Sequence, residues 1–179
     1  VVKGAIDGLL QKQTYISIDY GTQNATVFLL WQKGKDGNWY CLKEYFYSGR
    51  DEKKQKTDSE YADDLEAFVK GYKIREVVLD PSAASFKAEL KERGFKVKNA
   101  KNDVVDGIRY VGTLLNDSKI FFSEQCKETI KEFSAYVWDE KATNRGEDKP
   151  LKENDHAMDA VRYFCNTIIT KKRGVTIWK

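Results

Sequence analysis

No apolar run in this 179-residue sequence approaches the ~20 residues a membrane-spanning helix needs. The first residues carry no signal-peptide pattern. No membrane partner is therefore expected. Cysteine is sparse: Cys41, Cys126 and Cys165 are far apart, odd in number and set in apolar stretches. Without a Cys-x-x-Cys pair they offer neither a zinc site nor a dithiol redox motif, and they read as core thiols in a reducing cytoplasm. His156 is the only histidine, and no serine–histidine or cysteine–histidine arrangement points to a protein nucleophile. Internal repeats, low-complexity segments and base-reading elements such as a helix-turn-helix or zinc finger are also missing. What remains is a chain of 41% hydrophobic and 13% aromatic residues, long enough for one domain with its own core. Its net charge of +3 permits a nucleic-acid partner without requiring one.

The chain is organised around Tyr15-Ile-Ser-Ile-Asp-Tyr-Gly-Thr22. Tyr15, Ile16 and Ile18 read as a buried strand ending on Asp19, after which Gly21 permits a tight turn. A second strand follows from Ala25 to Lys33 and a third from Asn38 to Tyr47, with Asp36-Gly37 between them as a hairpin signal. Residues 1–14 show no clear period and read as a linker or leader. Thr57-Asp-Ser-Glu60 has capping-box spacing and opens a helix from Asp58 to about Gly71, with Tyr61, Leu65, Phe68 and Val69 as its buried stripe. Glu76 to Asp80 is a short strand stopped by Pro81. Ser82 to Arg93 is a helix closed by Gly94, and Phe95 to Lys98 is another strand. Asp103 to Asn116 is helical, with Val105, Ile108, Val111 and Leu115 at helical spacing. Ile120 to Phe122 is extended, and Ser123 caps a helix from Glu124 to about Trp138. Residues 139–153 form a charged loop or small hairpin. Asn154 or Asp155 caps a last helix from His156 to about Thr170, and residues 171–179 are a basic tail. This order predicts an α/β fold: a mixed sheet of three antiparallel strands then parallel strands, with helices on both faces.

Two of these strands end on aspartate, Asp19 and Asp80. Parallel neighbours deliver their last residues to one edge of the sheet, where ligands bind in open α/β folds. Two carboxylates held there repel, and a divalent cation resolves the conflict. Oxygen-only ligation suits magnesium or manganese. A third contribution comes from Asn154-Asp-His-Ala-Met-Asp-Ala-Val-Arg-Tyr163, in which His156 and Asp159 share the first turn of a helix. Each residue alone has a plainer role: Asp19 as a turn cap, Asp159 as a solvated helix acid, His156 as a cap or core residue. Together they point to a site.

Ser-Ile-Asp-Tyr-Gly, Val-Val-Leu-Asp-Pro-Ser and Asn-Asp-His-Ala-Met-Asp-Ala-Val-Arg-Tyr, in this order, resemble the nuclease domain of the large terminase subunit of tailed bacteriophages. The resemblance covers Tyr15 to about Thr170. It implies a ribonuclease H-like nuclease domain at residues 15–170 that cuts concatemeric double-stranded viral DNA during packaging, in the cytoplasm of the infected bacterial host. Asp19, Asp80 and Asp159 match the acidic triad of that family, and His156 matches a polar residue beside the third acid. The implied mechanism is two-metal phosphodiester hydrolysis with two magnesium or manganese ions held by Asp19, Asp80, Asp159 and His156. Implied partners are DNA, an ATPase domain, the small terminase subunit and the portal of the procapsid. A Gly-x-x-x-x-Gly-Lys-Ser/Thr phosphate loop is not in this sequence, so the ATPase motor is expected elsewhere. Lys141, Arg145, Lys149 and Lys152, just before the last helix, are candidates for contacts to the DNA backbone. Asp139, Glu140, Glu147, Asp148 and Glu153 in the same segment fit a merely solvated loop equally. A Holliday-junction resolvase or transposase of the same fold stays open, as does a non-catalytic DNA-binding or assembly module. Asp19-Tyr-Gly-Thr22 also resembles the first phosphate loop of actin-like and sugar-kinase ATPases, which need two such lobes.

Overall fold

The computed structural model describes residues 1–21, 24–135 and 155–169. Six strands, β1 (Leu9–Asp19), β2 (Ala25–Gly34), β3 (Trp39–Ser48), β4 (Glu76–Leu79), β5 (Val97–Asn99) and β6 (Ile120–Phe122), make one sheet in the order β5-β4-β1-β2-β3-β6. β1, β2 and β3 are antiparallel neighbours. β4 runs parallel to β1, β5 to β4 and β6 to β3. The described helices are α1 (Asp58–Phe68), α2 (Ala84–Glu92), α3 (Val105–Asn116), α4 (Lys127–Ala135) and α5 (His156–Thr167). This is the mixed α/β sheet that the order of elements predicts.

Both faces of the sheet are covered, and the period of two along each strand sorts the side chains between them. Ile16, Ile18, Phe28, Leu30, Val77 and Leu79 pack with Tyr61 and Leu65 of α1 and Phe86 and Leu90 of α2. Tyr15, Val27, Leu29 and Trp31 face the other way, against Val111 and Leu114 of α3 and Ala157, Val161 and Phe164 of α5. Val78 of β4 meets Tyr163 of α5 on that same side. Continuing each alternation to the strand end places Asp19 and Asp80 on the α5 face. The parallel register ends at Ile18 opposite Leu79, so the two aspartates follow as neighbours. Just beyond Asp19, Gly21 is needed for close approach, because a Cβ there would lie 2.8 Å from the Ala25 carbonyl oxygen.

α1 opens with the full capping box. The Thr57 side chain accepts from the Glu60 amide at 3.2 Å, and Glu60 accepts from the Thr57 amide at 2.8 Å. Thr57→Ala is expected to lose about 1 kcal/mol in urea unfolding. A loss below a few tenths would mean that burial of Tyr61 and Leu65 alone holds this helix.

The structure differs from the sequence reading in several places; α4, for one, begins at Lys127 and not at Glu124. Residues 9–14, read as part of a linker or leader, belong to β1: Leu9 and Leu10 pair with Gly34 and Lys33, and the register shifts before Thr14 pairs with Gln32. That irregularity breaks the alternation by which a strand is recognised. Val2, in the same stretch, bridges to Ser123 beside β6, with Val2 N donating to Phe122 O at 2.7 Å. On α3 the buried face is Gly107, Val111 and Leu114, while Leu115 is 39% exposed. The helix is rotated so that Gly107 abuts Arg162 of α5, where a Cβ would meet Arg162 Cγ at 2.8 Å.

Candidate active site

The strand-end acids meet α5 through its first turn. Asp19 is largely buried, and its Oδ2 lies 2.9 Å from His156 Nδ1. Burial pushes the Asp19 carboxyl up, the His156 hydrogen bond opposes this, and the Asp159 charge adds to the rise. The bond to Asp19 pushes the His156 imidazole up against its own burial. Desolvation and the mutual hydrogen bond thus act on both groups of this pair.

Asp80 is buried and accepts from the Ser82 amide at 2.8 Å and from Asn102 Nδ2 at 2.7 Å. Burial works to raise its carboxyl, but bonds from Ser82 and Tyr163 and the Arg162 charge together outweigh it, so Asp80 lies below the usual carboxylate range. Asp159 Oδ1 accepts from Arg162 Nη2 at 2.8 Å and Nε at 3.2 Å. Arg162 is only 3% exposed. Its Nη1 donates to Asn102 Oδ1 and to the Asp103 carbonyl, each at 3.1 Å. A continuous chain therefore runs Asp159–Arg162–Asn102–Asp80. The Tyr163 hydroxyl sits among the acids: after burial, the charges of Asp19, Asp159 and Asp80 are what push its ionisation up.

Of the four predicted site residues, Asp19 and His156 are in direct contact, and Asp80 is joined to Asp159 through Asn102 and Arg162. Lys141, Arg145, Lys149 and Lys152 lie outside the described residues, as do Asn154 and the tail. Sequence reasoning missed Arg162, Asn102, Tyr163 and Glu132. Arg162 stood three residues after Asp159 in the motif, which is salt-bridge spacing on a helix. No local signal marked Asn102 or Glu132.

The last helix begins after Asp155 as expected, but Glu132 supplies the capping bonds. Asp155 occupies the N-cap position of α5 without a side-chain capping bond. The Glu132 carboxylate from α4 accepts instead from the Ala157 amide at 2.8 Å and the Met158 amide at 3.1 Å. Burial pushes Glu132 up to about 7 despite these bonds. Its folded value exceeds the ordinary 4.5, so folding favours the neutral form. That stabilisation is full below about pH 4.5 and is lost as pH rises to about 7, a change of about 3 kcal/mol. Glu132→Gln keeps an oxygen for both amides and cannot ionise. It is expected to match the wild type within about 1 kcal/mol at pH 5 and exceed it by about 3 at pH 8 in urea unfolding. Equal stability at both would place Glu132 in an ordinary carboxylate environment.

In chemistry the acids fit a hard divalent ion: carboxylate oxygens with one imidazole and no thiolate. Asp19 pairs with His156, Asp159 with Arg162, and Asp80 accepts from Ser82 and Asn102. Among the described residues, no three His, Cys, Asp or Glu side chains are gathered so as to hold a metal ion. Among these residues no helix is long and apolar enough to cross a membrane.

The family model of the terminase RNase H-like domain matches residues 16–167. The large terminase subunit of Escherichia phage T5 is 28% identical over 164 residues, which are 87% of this chain and 35% of that protein. The large terminase of a thermophilic bacteriophage, solved in complex with ADP, superposes with a TM-score of 0.87 at 55% identity, over 89% of this chain and 40% of that one. The large terminase nuclease domain of bacteriophage SPP1, solved with bound manganese, superposes with a TM-score of 0.57 at 20% identity, over 86% of this chain and 85% of that one. At that identity the SPP1 likeness concerns the fold. The chain spans well under half the length of the phage T5 protein and of the thermophilic phage's terminase.

Proposed function

This chain belongs to the terminase RNase H-like domain family, and from that premise we propose that it is the nuclease part of a large terminase. It cuts concatemeric double-stranded viral DNA during packaging, in the cytoplasm of the infected host, with little sequence specificity of its own. The observation that carries the reading is the arrival of two parallel strand ends, Asp19 and Asp80, on the face where α5 presents His156 and Asp159.

Asp19, Asp80 and Asp159 are the residues that would hold divalent cations, two of them on this reading, magnesium or manganese. When bound, such ions supply the charge that makes water a nucleophile and stabilises the leaving 3′ oxygen. Domains of this fold solved with manganese and with zinc support a divalent cation without choosing which. The chain's own contribution is placement. Ser82 and Asn102 fix the Asp80 carboxylate, and Glu132 anchors the start of the helix carrying His156 and Asp159. Asp19 engages His156 Nδ1, which leaves Nε2 as the ring nitrogen to meet water or a phosphate. No side chain here needs to act as a covalent nucleophile. Further partners on this reading are the ATPase part of a longer protein, the small terminase subunit and the portal. Lys141, Arg145, Lys149 and Lys152 remain the proposed contacts to the DNA backbone.

Supercoiled plasmid incubated with purified protein tests the proposal. Nicking and linearisation with magnesium or manganese, and none with EDTA, are expected. Cleavage confined to four-way junctions would replace the reading with a resolvase. Intact plasmid with every metal would leave a non-catalytic module.

A further inference from the structure

The chain of bonds through Arg162 goes beyond placement of the acids. Arg162 arises from the same helix as Asp159, and its guanidinium covers one carboxylate oxygen with two N–H groups. Bonds from its Nη1 to Asn102 and the Asp103 carbonyl tie it to the segment after β5. Gly107 of α3 leaves the space in which its stem lies, since a Cβ there would crowd Arg162 Cγ and Cδ at 2.8 and 2.9 Å. A buried guanidinium always carries its charge, so the site holds a permanent cation beside its third acid.

We propose that Arg162 is a built-in counter-ion that competes with divalent cations for Asp159, so that loading the site requires Asp159 to leave Arg162. This rests on the metal-dependent reading above. Three carboxylates converging without any cation would repel. Arg162 relieves that repulsion when no metal is bound, which lets the apo domain fold with its acids in register. The same bond lowers the apparent metal affinity, because a ligand that binds only the released state pays for the release. Metal then binds well only when something else contributes, and the phosphates of DNA in the site are such a contribution. Arg162 would thus make loading depend on substrate.

The alternative, that Arg162 holds Asp159 ready for metal, predicts the opposite sign. Manganese affinity without DNA, followed by the paramagnetic resonance of free ion, separates the two. Arg162→Met fills similar volume without charge and is expected to bind manganese about tenfold more tightly than the wild type, with a lower melting temperature that manganese restores. Arg162→Lys keeps the charge but not the fork, and is expected to fall between the two. It serves the same test should the methionine variant not fold. Weaker binding in both variants, or in the lysine variant alone where only it folds, would overturn the proposal. If the wild type binds manganese with an affinity that Asp80→Asn leaves unchanged, the metal-site reading fails and the proposal with it. If Asp80→Asn removes binding while the Arg162 variants weaken it, the nuclease reading stands and only the counter-ion role is lost.

Discussion

Asp80→Ala is expected to lower metal-dependent plasmid cleavage by about a thousandfold or more, to the background of the EDTA control. The environment of Asp80 favours the charged form, because the Ser82 amide, Tyr163 and the Arg162 charge outweigh its burial. A lowered folded value also makes it a source of stability above the ordinary carboxylate range, lost as pH falls through the folded value. Alanine would therefore change fold and chemistry together: it leaves the Ser82 amide and Asn102 Nδ2 without their acceptor. Asp80→Asn separates the two effects. Its side-chain oxygen still accepts from Ser82, while its amide nitrogen meets the Asn102 Nδ2 donor, so its unfolding free energy should fall by about 1–3 kcal/mol, less than with alanine. Its cleavage should be lost as fully as with alanine, since the amide carries no charge for a metal. Full cleavage by a folded Asp80→Asn protein would remove Asp80 from the site.

The largest effect on stability is expected at Trp31. This side chain is wholly buried, stacked on Phe164 with ring centroids 4.2 Å apart and 6° between planes, and set edge-on to Phe122 at 5.4 Å. Its indole Nε1 donates to Ser17 Oγ at 3.0 Å in the interior. Trp31→Ala is expected to cost about 3–5 kcal/mol for the lost side chain and its cavity. The Ser17 hydroxyl left unpaired adds a cost of about 1–3 kcal/mol. Against a total stability of roughly 5–15 kcal/mol, the variant sits near the edge of folding. The consequence reaches the site, because Phe164 lies on α5, the helix that carries His156 and Asp159. Trp31→Phe keeps an aromatic ring in the stack and loses mainly the indole bond, so it should retain most of the stability. Denaturant titration of the three proteins decides. An alanine variant within about 1 kcal/mol of the wild type would show that α5 is held to the sheet by other contacts.

Much of the fold was legible because its signals are local. The Asp36-Gly37 turn between two apolar runs marks the β2–β3 hairpin, where Gly37 takes φ +85° and Asp36 accepts from the Asn38 amide. Thr57 and Glu60 announced α1 by spacing alone. Glu76 to Leu79, cut off by Pro81, announced β4. Where a local pattern was interrupted, the reading failed: the register shift before Thr14 hid the first half of β1. The helical spacing of α3 did not by itself tell which side is buried; Gly107 packs against Arg162 of α5, far along the chain, and Leu115 is left exposed.

At the site the division is sharper. The positions of Asp19 and Asp80 at strand ends, and of His156 and Asp159 one helical turn apart, were determined by the sequence itself. Strand and helix periods depend on neighbours along the chain, and those neighbours are written next to each acid. Which partner each acid takes was decided only by the tertiary structure. Asp19 meets His156 across 137 positions, Arg162 meets Asn102 across 60, and Glu132 reaches the Ala157 amide across 25. Such pairings depend on how β1, β4, α4 and α5 pack, through contacts that no short window of sequence contains. A carboxylate can be recognised from its place in a strand, but its charge state and its partner belong to the packed interior, where burial and neighbouring charges set both.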